Sequence, residues 1–258
     1  MNQEFSGKSI LITGGTKGLG LATAHQFAQA GAKLLILSFR SDVESAEKAK
    51  NEITNLGALC ETIPCDLSED GAADRLFDLV ASKTQSLDIY IHNAAATAFK
   101  DLLDLKSHHI EKTMNITVKS FILGVQRAAS FMKNGGAVVS ISGMDTLKVV
   151  PRHGLLGAAK SALQTLTTYY AHELASRKIR VNSVNPGFLE TESTRKYLGP
   201  AFDITNQAFA NLLPLKRMPT LEEIAHVVLF LCSPRSSWIV GQTINVDGGL
   251  SFSMQSII

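Results

Sequence analysis

Leu11-Ile-Thr-Gly-Gly-Thr-Lys-Gly-Leu-Gly20 is a short apolar run broken by glycines immediately before the helical pattern Leu19 to Ala30. It reads as strand, phosphate loop and helix. Glycine at 14, 18 and 20 lets the backbone turn sharply and approach a pyrophosphate, which the unpaired N–H groups of the helix start then hold. Thr16, Lys17 and Leu19 complete the loop. A dinucleotide is the natural occupant, although a plain strand-to-helix turn also uses glycines, so the rest of the chain has to decide.

Outward from the loop, Lys33 to Ser38 (KLLILS) is too continuous for a half-exposed strand and fits a parallel strand buried on both faces. In dinucleotide folds an acidic residue about 20 positions past the glycines holds a ribose 2′-hydroxyl, whereas a basic one accommodates a 2′-phosphate. Here the strand ends in Phe39-Arg40-Ser41. With no carboxylate at the strand end, and with Lys17 in the loop as a second cation, the pattern predicts NADP(H) over NAD(H), with Arg40 and Ser41 at the phosphate. Asp42 keeps the ribose reading open, and a solvated surface arginine is the alternative for Arg40.

Strand and helix then alternate to the end of the chain. A polar helix from Asp42 to Leu56 closes at Gly57, the strand Leu59 to Cys65 leads into Asp66-Leu67, and a helix follows with Ser68 as its N-cap. The strand Ile89 to His92 ends in Asn93-Ala94-Ala95. A helical pattern from about Ser107 to Met132 is interrupted at Asn115-Ile-Thr117, where Asn115 kinks the helix, binds water or faces solvent. Ala137 to Ile141 is a buried strand, a helix spans about Gly154 to Ala175, and the strand Ile179 to Val184 meets the loop Asn185-Pro-Gly187. Thr220-Leu-Glu-Glu223 is a capping box, and Gln242 to Val246 is the last strand. The pattern predicts an α/β, Rossmann-type doubly wound parallel sheet in a single domain over residues 1–258.

Composition excludes more than it selects. With 45% apolar and 19% charged residues and a net charge of +2, nothing points to nucleic acid or a membrane surface. Cys60, Cys65 and Cys232 are odd in number and lack metal-ligand spacing, which suits a reducing cytosol and the role of small buried hydrophobes. No His-Glu-x-x-His, Cys-x-x-Cys or Gly-x-Ser-x-Gly occurs, so neither a metal site nor a hydrolase elbow is expected. No apolar run reaches membrane-spanning length, and the expectation is a soluble, cytoplasmic protein.

Thr13-Gly-x3-Gly-x-Gly20, Asn93-Ala-Ala95, Asn115, Ser140-x-Ser142, Lys160, Asn185-Pro-Gly187 and Asp247-Gly-Gly249 occur in this order from about Gly7 to Gly249. In this the chain resembles the short-chain dehydrogenases/reductases. The resemblance implies that Lys160 hydrogen-bonds the nicotinamide ribose, that Asp66 and Leu67 touch the adenine, and that Asn93, Ala94 and Ala95 back the cofactor. It implies further that Asn115 holds a water in a proton relay and that the turn Pro186, Gly187, Leu189, Thr191 grips the carboxamide. A segment from about 190 to 214 covers the substrate in this fold, and members are commonly tetramers packed on the two long helices.

The departures from the family pattern carry the specificity. The common pattern places tyrosine four residues before the lysine and serine thirteen before that tyrosine, because a phenol beside an ammonium is an acid able to protonate a forming alkoxide. Here those positions hold Leu156 and Gly143, and neither exchanges a proton. The divergent bacterial enoyl-acyl-carrier-protein reductases space the tyrosine seven residues before the lysine, where this chain has His153. Ser140 to Lys160 resembles the third bacterial class of these enzymes in length and in its Gly157-Ala-Ala-Lys160 ending, without the tyrosine.

Reduction of an enoyl thioester leaves an enolate oxyanion, which needs a hydrogen-bond donor more than a strong acid, and a neutral imidazole N–H serves. Ketone reduction demands more, so His153 leans towards C=C over C=O; its alternatives are a helix cap or a solvated side chain. Ser142 supplies a hydroxyl one position early or simply ends its strand. Tyr197, in the covering segment, is a second candidate donor. Lys196, Lys216 and Arg217 are candidate contacts for an acidic carrier protein, or solvated charges. The reading is an NADPH-dependent reductase of a conjugated acyl thioester or related enone. A 3-oxoacyl-type ketoreductase is the alternative, and a redox-silent dinucleotide-binding protein, or a non-redox isomerase or cyclase, is the reading from another class.

Overall fold

The computed structural model describes residues 3–252, so residues 1, 2 and 253–258 of the expected domain lie outside the described residues. Seven strands form one parallel sheet: β1 (Ser9–Thr13), β2 (Leu34–Phe39), β3 (Leu59–Pro64), β4 (Ile89–His92), β5 (Gly136–Ile141), β6 (Ile179–Asn185) and β7 (Thr243–Asn245). Their order is β3-β2-β1-β4-β5-β6-β7. The order reverses between β1 and β4, which pair Ile10 with Ile89 and Ile12 with Ile91, and at such a reversal a crevice opens beyond the strand ends.

The continuous apolar runs are explained by two covered faces. Every residue of β1 and β2 is buried. Ile10, Ile12, Leu35 and Leu37 point into one core with helices α1 (Gly18–Gln29), α2 (Val43–Asn55) and α9 (Leu221–Cys232). Leu11, Leu34 and Ile36 point into the other, against α3 (Ala72–Lys83), α5 (Ser120–Phe131) and α6 (Gly154–Leu174). The remaining helices are α4 (Ser107–Met114), α7 (Glu192–Leu198) and α8 (Phe202–Leu212). Each fully buried Leu or Ile stabilises this arrangement by about 1.5–3 kcal/mol. Burial pushes the Cys60 thiol up to about 12, so it sits in the first core as a hydrophobe.

Local chemistry fixes most boundaries. Thr220 Oγ1 accepts from Glu223 N at 3.3 Å while Glu223 Oε2 accepts from Thr220 N at 2.9 Å, closing the capping box at the start of α9. Ser68 is not an N-cap. Its N–H and hydroxyl both donate to Asp66 Oδ1, at 2.9 and 2.6 Å, which holds the chain in a turn. Gly71 then takes left-handed geometry with φ 69°, so α3 starts only at Ala72.

The interruption at Asn115 is a π-helical turn, Asn115–Lys119, between α4 and α5. A buried relay locks it. Because a carbonyl only accepts, His92 Nε2 donates to Thr117 O at 3.0 Å, and His92 Nδ1 then accepts from Tyr90 Oη at 3.0 Å. Burial, with the nearby Lys160 charge, pushes the His92 imidazole down to about 3, so it is neutral. Tyr90 Oη lies 2.4 Å from where a Cβ on Gly124 would stand, so glycine is required there. Gly124→Ala is expected to cost about 1–3 kcal/mol in urea unfolding, with part recovered when Tyr90→Phe removes the hydroxyl; a loss within about 0.5 kcal/mol would show that the contact relaxes freely.

Candidate active site

Beyond the β1 and β4 ends lies a groove of about 570 Å³. Gly14 and Gly18 have φ of +62° and +52°, which turns the loop after β1 back on itself. Gly20 lies beneath it: a Cβ there would meet Gly14 O at 2.2 Å. Asn93 Nδ2 braces the loop by donating to the carbonyls of Thr13 and Gly14 at 3.1 and 3.0 Å. Thr13 Oγ1 accepts from the N–H groups of Asn93 and Ala94, both at 3.1 Å. Thr16, Leu19 and Ser41 line the groove near the loop, and Asp66, Leu67 and Ala95 line it beside the β3 and β4 ends. Bare backbone, a helix start and this polar rim fit a dinucleotide pyrophosphate.

The charges at the end of β2 divide differently from the expectation. Lys17 does not stand free as a second phosphate cation: its ammonium lies 2.6 Å from Asp42 Oδ2 and 3.0 Å from Glu192 Oε2. Asp42 also caps α2, accepting from Ser45 N and Oγ at 3.0 Å each, and the Lys17 bond leads the contacts that hold its carboxyl at about 2. Both its oxygens are therefore already engaged by the protein itself. Arg40 is exposed, lines the groove, and has no hydrogen-bond or ion-pair partner among the described residues. The free cation at the strand end is the one that suits a 2′-phosphate.

A second cavity, about 460 Å³, adjoins the groove between β5, α6 and α7. Lys160 enters it from α6 with only 6% of its surface exposed, and its ammonium donates to Ile141 O at 2.5 Å. Burial pushes its pKa down to about 8, with Asp145 opposing. Pro186 and Gly187 line the far side, where Gly187 has φ +69° and packs on Asp247. Leu189 and Thr191 face both cavities, and Thr191 Oγ1 caps α7 by accepting from Thr194 N at 3.2 Å.

His153 lines the cavity at the N-cap of α6. Its Nδ1 donates to Pro151 O at 3.0 Å, so the neutral ring presents to the cavity an Nε2 lone pair, not the N–H expected of it. Nε2 donates only when the ring is protonated. The ring packs edge-on to Tyr197 with centroids 4.4 Å apart and against Phe99 at 5.1 Å. Tyr197 comes in from α7 as the covering segment should bring it, but its hydroxyl donates to Pro151 O at 2.9 Å. Ser142 is buried at the cavity wall and its hydroxyl accepts from Gln164 Nε2 at 2.8 Å. Asn115 is not brought into this cavity: it stands at the start of the π turn, and its amide donates to Ser68 O at 3.2 Å.

Two residues of the site escaped the sequence reading. Gln164, one turn after Lys160, also donates to Thr146 Oγ1 at 3.0 Å and ties the post-β5 turn to α6. Asp145, in that turn, lines the cavity with one carboxyl oxygen buried and unpartnered. The available signal was an isolated acid two residues past Gly143, at a position where the family pattern asks for nothing.

The fold and the paired cavities define a dinucleotide-dependent oxidoreductase. A family profile described as Enoyl-(Acyl carrier protein) reductase matches residues 14–251. The chain is 32% identical over 241 residues to the 1-cyclohexenylcarbonyl-CoA reductase of Streptomyces collinus, covering 93% of this chain and 86% of that protein. It is 30% identical over 249 residues to the 3-oxoacyl-(acyl-carrier-protein) reductase FabG of Thermotoga maritima, covering 96% and 99%. A solved short-chain dehydrogenase from Burkholderia cenocepacia J2315, in complex with NADP, superposes with a TM-score of 0.88 at 29% identity over 96% of this chain and 99% of that one. The chain belongs to the short-chain dehydrogenase/reductase family and is an NADP(H)-dependent oxidoreductase.

Two measurements probe the charges of the site. Arg40→Ala is expected to weaken NADPH binding about tenfold or more and NADH binding hardly at all, by calorimetric titration; equal losses would remove Arg40 from the phosphate. For Lys160, a folded pKa near 8 against an ordinary 10.5 means that the unfolded chain binds more protons between these values. The cofactor-free protein should therefore gain stability from this group as pH rises through that window, at up to about 1.4 kcal/mol per pH unit. Lys160→Met should remove that gain in urea unfolding at both ends of the window.

Proposed function

We propose that the protein reduces the conjugated C=C of an acyl thioester, or of a related enone, with NADPH. The observation that carries this reading is the absence, among the described residues, of a phenol beside Lys160: Leu156 stands in the common tyrosine position, and the Tyr197 hydroxyl of the covering segment is tied to Pro151 O at 2.9 Å. A forming alkoxide would have no tyrosine acid here, whereas an enolate oxygen needs only a donor. The nicotinamide, when bound, supplies the hydride. Lys160 anchors the ribose side of the cofactor, and Pro186, Gly187, Leu189 and Thr191 hold its amide end. His153 faces the substrate from the cavity wall and donates from Nε2 once protonated. Phe99, Val150, Leu156 and Phe188 make the cavity apolar enough to take an acyl chain and exclude water.

The name of the Streptomyces collinus relative describes reduction of a ring C=C conjugated to an acyl-CoA carbonyl, which supports the enoyl reading. That of the Thermotoga maritima relative supports ketone reduction, the second reading. Either coenzyme A or an acyl carrier protein presents the acyl group. Of the three candidate cations, Arg217 is paired with Glu223 and Lys216 with the Asn211 carbonyl, and only Lys196 lines the cavity, so it is the best placed contact for a carrier's acidic surface. A cytoplasmic homotetramer assembled on α4 and α6 fits the apolar Ile110 and Tyr169 exposed on those helices.

The test compares NADPH oxidation with crotonyl and acetoacetyl thioesters of one carrier, with NADPH binding measured in parallel. Turnover of crotonyl alone is expected, and His153→Ala should lower it about 100-fold with cofactor affinity unchanged. Turnover of acetoacetyl alone would replace the reading with the ketoreductase, and NADPH binding without turnover of either would replace it with the redox-silent one.

A further inference from the structure

Asp145 is the acidic group of the cavity that neither the family pattern nor the reading above uses. It lies in the 3-10 turn Met144–Thr146 that follows β5, and that turn packs against α6, which carries Lys160 and has His153 at its N-cap. Its Oδ1 is buried without a hydrogen-bond partner among the described residues. A buried ionised carboxylate oxygen left unpaired is costly, and protonation relieves that cost. Burial raises the Asp145 pKa above the usual carboxylate value, with Lys160 first and His153 second among the charges that oppose the rise.

The glycine in the family's serine position belongs to the same arrangement. A Cβ on Gly143 would stand 2.5 Å from Asp145 Oδ1, so any side chain there displaces the carboxyl. A Cβ on Gly157 would meet the Asp145 backbone carbonyl at 2.7 Å, so α6 approaches the turn only because residue 157 is also glycine. The glycine at 143 and the observed placement of the acid are thus sterically linked. Gln164, bonded to Thr146 Oγ1 at 3.0 Å and to Ser142 Oγ at 2.8 Å, holds the turn in place.

We propose that Asp145 is the catalytic acid of this site, delivering to the substrate the proton that accompanies the hydride. The inference rests on the enoyl-reductase reading for the atom it protonates. Hydride adds to the β-carbon with its electron pair, and the C=C electrons move to form the enolate. The enolate C=C pair then takes the proton at the α-carbon, the oxyanion's pair re-forms the C=O bond, and the electrons of the broken Asp145 O–H bond stay on the carboxylate. The carboxylate left behind takes its next proton from water. Lys160 on α6 and His153 at its N-cap are the titratable groups facing it, and the Lys160 ammonium stabilises the carboxylate left behind.

The test uses Asp145→Asn, which keeps the size and shape of the side chain but carries no transferable acid proton, and Gly143→Ser, which crowds the carboxyl out of place. Both are expected to lower crotonyl turnover about 100-fold or more with NADPH affinity and KM within about twofold. In D2O the wild type should place one deuterium on a single face of the α-carbon, and Asp145→Asn should give both faces. Independently of turnover, a 13C-labelled aspartate Cγ resonance that Asp145→Asn removes should titrate above the ordinary carboxylate range in the cofactor-free protein. The wild-type rate should fall as pH rises through that titration, on a limb missing from the variant. Full rate and one-faced labelling in Asp145→Asn, or a Cγ titration in the ordinary range, would overturn the assignment. Wild-type turnover of acetoacetyl alone would overturn the enoyl reading instead. Asp145 is then judged on the alkoxide proton by the same variant, a 100-fold loss retaining it and an unchanged rate removing it.

Discussion

A buried ammonium is the constraint on which the arrangement of the inner cavity depends. Lys160 is held against the Ile141 carbonyl at the end of β5 with almost no contact with solvent, and its charge reaches His92 on one side and Asp145 on the other. A lone buried cation is unfavourable, so the structure supplies a carbonyl beside it and a carboxyl nearby, and a cofactor ribose offers further acceptors. In the common family arrangement a phenol shares that neighbourhood. Here Leu156 occupies its place, and the acidic group whose charge reaches the ammonium is on the turn after β5, where residue 143 has no side chain to crowd it.

The cofactor groove shows how neighbouring charges sort themselves. Lys17, Arg40 and Lys196 and the carboxylates Asp42, Asp66 and Glu192 all line the groove between the glycine loop, β2 and α7. Lys17, on a long flexible stem, closes onto Asp42 and Glu192, and Asp42 is further occupied by capping α2. Arg40 is left unpaired among the described residues, and its planar, permanently charged fork suits a phosphate dianion. The protein's own ion pairs, more than the number of basic residues, decide which cation the groove leaves free. The Lys17 to Glu192 contact also joins the phosphate loop to α7, so the covering helix is anchored at the cofactor end of the site.

Away from the cavities, the π turn at Asn115–Lys119 links the sheet to the long helix beneath it. A neutral, buried His92 bridges Tyr90 on β4 and the Thr117 carbonyl that the π turn exposes. This explains a weak helix-forming patch inside a helical pattern: the backbone groups it leaves unpaired are partnered from β4. It also explains why Asn115 does not reach the substrate cavity, since the side chain at the start of that turn meets the Ser68 carbonyl instead.

The sheet, its parallel topology and the dinucleotide loop were legible in the sequence. Local rules govern them: unbroken apolar runs for strands buried on both faces, glycines where φ is positive, and a capping box at Thr220 whose two bonds lie within four residues. The start of α3 was misplaced because the Asp66 carboxylate captures Ser68, a choice between two equally local hydrogen bonds. The catalytic chemistry was not legible to the same degree. The sequence showed that the usual tyrosine and serine are absent; it did not show that the His153 Nδ1 proton faces the Pro151 carbonyl, that Lys17 is neutralised by Glu192 far along the chain, or that Asp145 stands unpartnered beside Lys160. Charge pairing, tautomer and burial depend on which groups meet across the fold, and desolvation acts only once the chain has closed around them. The sequence by itself determined the fold and the dinucleotide class, and only the tertiary structure decided which charges in the site remain free to act.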